Sequence, residues 1–173
     1  MDDFKHSVPL LGGGQANFQQ CWYASYGMLL KFHNRSAGEV DGKLSSAGID
    51  VADAKANGLV DKDYKRAADS LGLKTWSGAP FKKAQGFFDV GLSDGAEAFI
   101  NELKVSPLWV SRFIEKGSYH ITLAVGYKDE GKGYIIYNNP YPGPNNALEQ
   151  FKFPANIFVR DITDAMGSVQ AVR

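Results

Sequence analysis

The stretch QANFQQCWYASYGM, residues 15–28, decides how the rest of the chain is read. It holds the single cysteine, Cys21, with glutamines before it and a tryptophan after it, and it runs into LLKFHN at 29–34. Trp22, Tyr26, Leu29 and Leu30 recur at helical spacing, and Lys31, His33 and Asn34 begin a polar exit. The pattern predicts a helix over Cys21–Phe32 with the cysteine as its first residue. A thiol in that place meets the free amides of the first turn and the positive end of the helix dipole, and both favour a thiolate. Upstream, Gly12-Gly13-Gly14 closes what reads as an irregular arm over 1–14.

The bulk numbers narrow the field. A chain of 173 residues fits one domain, 1–173, with a core that needs no staples. Formal net charge is zero, which argues against a phosphate-binding surface and so against nucleic acid. No basic amphipathic helix and no run of about 18 apolar residues points to a membrane. With one cysteine there is no intrachain disulfide and no zinc site built from several thiolates. The N-terminus MDDFKHSVPL is acidic and lacks the apolar core of a signal peptide.

Working outward, residues 34–44 read as a loop and 45–57 as a second helix stopped by Gly58. Residues 61–71 read as a third, capped by Asp61 and ended by Gly72. Residues 74–92 are ambiguous. A fourth helix spans 93 or 94 to 104. The period then changes. Residues 108–113 read as a strand, as do 120–127, with Ile121, Leu123, Val125 and Tyr127 on one face. DEGKG at 129–133 is a hairpin turn, and 133–139 is the returning strand. A last strand is expected over 156–161. Helices first and an antiparallel sheet after them give an α+β fold.

A nucleophilic cysteine needs a base, and there are three histidines. His6 lies in the arm. His33 is about 18 Å along the same helix from Cys21 at 1.5 Å per residue, which is out of reach. His120 opens the strand HITLAVGY and faces opposite to Ile121, so it can enter a cleft while its neighbours fill the core. An imidazole base is commonly held by a second group. The hairpin returns Asn138 and Asn139 beside His120; they point to opposite faces, and periodicity does not choose between them. Gln15, six residues before Cys21, can loop back so that its amide and the Cys21 N–H together receive an oxyanion. Trp22 is expected behind the site. Trp109 and Tyr119 are candidates for a groove, and Tyr141 with the PYPGP loop is a candidate flank.

Gln15, CWYAS, HITLAVGY and YNNPYPGP together resemble the papain-like cysteine peptidase superfamily. The nearest likeness is to compact bacterial members: bacteriocin-leader-processing peptidases and cysteine-peptidase effectors of plant pathogens. The resemblance implies an N-terminal helix carrying the nucleophile, packed against a C-terminal antiparallel sheet. It implies Cys21 and His120 as an ion pair, Gln15 as the oxyanion donor, and no metal or organic cofactor. In those families the orienting residue is an aspartate before a proline. That position is Asn139 here, followed by Pro140, so Asn139 is the expected orienter. The implied activity is hydrolysis of amide bonds in a protein or peptide. The size and motif set also resemble those of secreted bacterial effectors and toxins, for which a dedicated inhibitory or immunity protein is a candidate partner. The same machinery would serve a peptidoglycan-peptide hydrolase or a glutamine deamidase or transglutaminase. A papain-like shell used only to bind protein is the non-enzymatic alternative.

Overall fold

The computed structural model describes residues 1–9, 16–82, 91–115, 118–142 and 148–172. A seven-stranded antiparallel sheet forms the centre. Its strands are β1 (Phe4–Lys5), β2 (Leu73–Trp76), β3 (Leu108–Glu115), β4 (Ser118–Lys128), β5 (Tyr134–Pro142), β6 (Leu148–Pro154) and β7 (Val169–Val172). The order is β2-β7-β3-β4-β5-β6, with β1 added to β4. Among the described residues there are six α-helices: α1 (Cys21–Phe32), α2 (Glu39–Ser46), α3 (Val51–Asn57), α4 (Tyr64–Ser70), α5 (Asp94–Val105) and α6 (Ala155–Arg160). The fold is α+β, with α1 packed against the C-terminal sheet as expected from the sequence.

Alternation along β4 divides the core in two. Ile121, Leu123 and Val125 join Trp22, Tyr26, Leu29, Trp109 and Tyr64 beneath α1 to α4. Ala124 joins Phe99, Ile100, Leu103 and Phe158 beneath α5 and α6. Helix α1 is pinned by polar bonds within the first of these cores. Trp22 Nε1 donates to Ala54 O at 3.1 Å, Trp109 Nε1 to Trp22 O at 3.1 Å, and Tyr26 OH to Gln170 Oε1 at 2.8 Å. Satisfied indole and phenol groups let these rings be fully buried, each contributing roughly 1.5–3 kcal/mol.

Several expectations are corrected. Tyr127 packs on the face opposite to Val125, because the β4–β5 pairing shifts register between Ala124 and Gly126. A bulge of this kind moves every later side chain to the other face. The arm is not irregular throughout: Phe4–Lys5 pairs with Tyr127 and Gly126 of β4. β3 begins at Leu108 opposite Ala124, so the end of β4 is free to accept β1. Residues 45–57 form two elements, because Gly48 turns the chain at φ +76° and Asp50 caps α3 by accepting from Asp53 N–H. α2 begins inside the predicted 34–44 loop. Asp61 lies in a 3₁₀ turn and does not cap α4. Residues 156–161 lie in helix α6 and its C-cap rather than in a strand. β2, β6 and β7 had no counterpart in the sequence reading.

Candidate active site

Asn17 starts a short 3₁₀ turn, Phe18–Gln20, by accepting from the Gln19 N–H at 2.9 Å. That turn feeds directly into α1, whose first residue is Cys21. No side chain caps α1. The backbone of Cys21, Trp22 and Ile121 favours the ionised thiol. Ser25, one helical turn on, donates to Ile121 O at 3.4 Å. Helix and strand are therefore joined at Ile121, the residue next to His120. Cys21 is partly exposed, as attack on a substrate requires. Burial pushes the thiol pKa up and outweighs the backbone amides, which lower it.

His120 Nε2 lies 2.6 Å from Asn139 Oδ1. The same oxygen accepts the backbone N–H of Tyr141 at 3.1 Å. A backbone N–H can only donate, so this atom of Asn139 is the amide oxygen. Nε2 must then carry the hydrogen of this bond, in imidazole and imidazolium alike. Two short contacts thus fix the amide orientation and the donor nitrogen together. Burial lowers the His120 pKa most, the bond to Asn139 raises it, and the Arg112 guanidinium lowers it.

Asn138 is turned to the other face, as the alternation requires. It is buried, accepts from Gln150 Nε2 at 2.9 Å, and approaches Met28 Sδ at 3.8 Å. Of the two adjacent asparagines, Asn139 is the one that meets the histidine. The other histidines are engaged elsewhere: His6 Nε2 lies 2.6 Å from Leu103 O and His33 Nε2 lies 2.9 Å from Ser106 Oγ. Gln15 lies outside the described residues, as does the PYPGP loop from residue 143 onward.

Trp22 is buried behind Cys21 as expected. Trp109 is fully buried, stacked on Tyr26 with ring centres 5.1 Å apart, so it is core and not groove. Tyr119, 51% exposed, packs on Phe113 with centres 5.1 Å apart. Phe18 and Tyr141, both exposed, meet edge to face at 5.5 Å and link the turn before Cys21 to the strand carrying Asn139. The Tyr141 N–H was legible but overlooked. Pro140 has no N–H, so the first amide that Asn139 can accept is two residues on, an Asx turn. Arg112 was also missed; its signal was a lone cation in the apolar strand LWVSRF. Among the described residues no cluster of three or more histidine, cysteine or acidic side chains could hold a metal ion.

No curated protein and no solved structure matches the chain. Residues 5–156 match the family model described as Papain-like cysteine protease AvrRpt2. That span takes in the helix bearing the lone thiol, the strand bearing His120 and the strand bearing Asn139. The chain therefore belongs to the AvrRpt2 family of papain-like cysteine proteases, thiol enzymes acting on protein or peptide substrates.

Proposed function

We propose that Cys21 is the nucleophile, His120 the base and then the acid, and Asn139 the group that orients the imidazole. Nδ1 of His120 takes the thiol proton as Sγ bonds to the scissile carbonyl carbon, and the oxygen becomes an oxyanion. The Cys21 N–H and the side-chain amide of Gln15 receive that charge. The same Nδ1 then protonates the departing amine, leaving an acyl-enzyme on Sγ. Water that gives its proton to His120 hydrolyses the thioester and restores the thiol.

The observation that carries this reading is the convergence of His120 Nε2 and the Tyr141 N–H on one oxygen of Asn139. It supports a ring that donates from Nε2 and leaves Nδ1 as the nitrogen that exchanges the proton. Replacing Cys21 with alanine is expected to abolish peptide-bond hydrolysis of an unfolded protein substrate while the melting temperature stays within a few degrees. Retained hydrolysis would remove Cys21 from the mechanism. Assays on a cell-wall peptide and for ammonia release from glutamine, run in parallel, separate proteolysis from peptidoglycan hydrolysis and deamidation.

A dedicated inhibitory protein belongs to the same reading, because holding back a partly exposed thiol means covering the start of α1. Synthesis of the active form without that partner should impair the producing cell, and the Cys21→Ala form should not.

A further inference from the structure

The first two turns of α1 are tied to three strands by buried hydrogen bonds. Trp22 O accepts from Trp109 Nε1 on β3 at 3.1 Å, Ser25 Oγ donates to Ile121 O on β4 at 3.4 Å, and Tyr26 OH donates to Gln170 Oε1 on β7 at 2.8 Å. Trp22, Ser25, Tyr26, Trp109 and Gln170 are all fully buried. Farther along the helix the buried residues are Gly27, Met28, Leu29 and Leu30, which are apolar. Apolar burial is non-directional, so it holds a helix on a sheet without fixing where along the sheet the helix stands. Buried hydrogen bonds do fix that, because a slide leaves donor and acceptor unpaired in the core.

Gln170 comes after residues 5–156, the span matched by the family model, on the strand that lies between β2 and β3. Its Nε2 donates to Gly167 O at 2.8 Å and to Tyr64 O at 3.3 Å. Carbonyl oxygens only accept, so that end of the side chain is the NH2 group and the other end is the oxygen. Tyr26 is therefore the donor of its bond. Turning the amide over would set its oxygen against two carbonyls. The side chain thus has one satisfied orientation, in which it clasps α1 and α4 to β7 together. An apolar side chain of similar volume would fill the same space and need none of these partners.

We propose that Tyr26 and Gln170 are positioning residues: their bond, with those of Trp109 and Ser25, sets where α1 stands along the sheet and so places Cys21 against the strand that carries His120. This rests on the reading of Cys21 and His120 as the reacting couple. Both residues act through the helix and not on the substrate. Losing the Tyr26–Gln170 bond leaves α1 folded and packed but lets its first turn shift, and a small shift between reacting groups is costly. A further consequence is that β7, which follows the matched span, serves the reaction as well as the sheet.

The test is the rate of Cys21 alkylation by iodoacetamide, read by mass spectrometry, in the wild type and in the Tyr26→Phe, Gln170→Met, Ser106→Ala and His120→Ala variants. At about pH 6 the rate depends on partnership with His120, whereas at about pH 9.5 a thiol ionises without help. Tyr26→Phe, which keeps its ring in the core, should label about ten-fold more slowly than the wild type at the lower pH and within about two-fold of it at the higher. Gln170→Met should do the same, and the double variant should lose no more than either single one. Ser106→Ala removes the buried bond to His33 at the far end of α1, so it should lower the melting temperature and leave both rates unchanged. Wild-type labelling of Tyr26→Phe at the lower pH would overturn the proposal. So would equal slowing at both pH values, which is a change of access, or equal slowing in Ser106→Ala, which is a general loosening of α1. Tyr26→Phe decides the matter by itself if Gln170→Met does not fold. The reading beneath it fails separately, if His120→Ala labels like the wild type at the lower pH.

Discussion

The two faces of the β4–β5 hairpin follow the same alternation and serve opposite ends. Toward α1, the hairpin presents Ile121, Leu123, Val125 and Asn138, and the one amide among them is buried between Gln150 and Met28. Toward α5 and α6 it presents His120, Ala124 and Asn139, with Arg112 beside them from β3. One face is closed by apolar packing and holds the helix whose first residue is Cys21. The other keeps its polar groups at the end of the sheet. Asn138 and Asn139 are neighbours in sequence and identical in chemistry, so the face each one occupies accounts for the difference between them.

Exchanging each asparagine for alanine breaks this comparison most sharply. Asn139→Ala should lower peptidase activity by on the order of 10-fold, part of the 10²–10⁴ that a positioned acid–base contributes. Its melting temperature should change little, since the bonds lost are at a partly exposed site. Asn138→Ala should do the reverse. It should cost about 1–2 kcal/mol of stability from a lost buried hydrogen bond and a small void, and leave kcat within a few-fold. Steady-state kinetics with thermal melts on both variants checks the pair. The opposite ranking in activity would exchange their roles.

A smaller effect is expected where the two faces change places. A Cβ on Gly126 would sit 2.5 Å from Phe4 O and 2.9 Å from Lys5 Cα. Gly126→Ala should therefore displace β1 and cost about 1–3 kcal/mol, measured by denaturant unfolding. An unchanged midpoint would mean that β1 contributes nothing to the sheet.

The smallest effect is on stability against pH. Burial depresses the pKa of His120, and burial together with Arg35 and His6 depresses that of His33. For both residues the unfolded chain binds more protons than the folded one between the folded pKa and about 6.5. Stability should thus be full above that value and decline as pH falls below it. Melting temperatures from pH 7.5 to 5.5 should show the decline, and it should be reduced in His33→Gln.

Much of this was legible in the sequence for a plain reason. Cys21, the apolar stripe of α1, His120 and the hairpin are local patterns whose spacing carries their structure. What was not legible depended on tertiary contact. Tyr127 changes face because β4 bulges beside Gly126, where β1 comes close, and the strand HITLAVGY shows no sign of this by itself. Residues 155–160 are helical although 156–161 reads as a strand. Phe158 and Val159 are buried against α5 and the sheet, and that packing overrides weak local preference. The Asn139 assignment came from the resemblance, but the proline after it already determined which amide its side chain would accept.

The central claim is that Cys21 is a nucleophile activated by His120. The most direct measurement is covalent labelling with a peptidyl epoxide that reacts with thiol-protease active sites, followed by mass spectrometric location of the adduct. The folded wild type should carry one adduct, on Cys21, and His120→Ala should label at least about 10²-fold more slowly. Equal labelling of the two folded proteins, or labelling that occurs only after unfolding, would contradict the account.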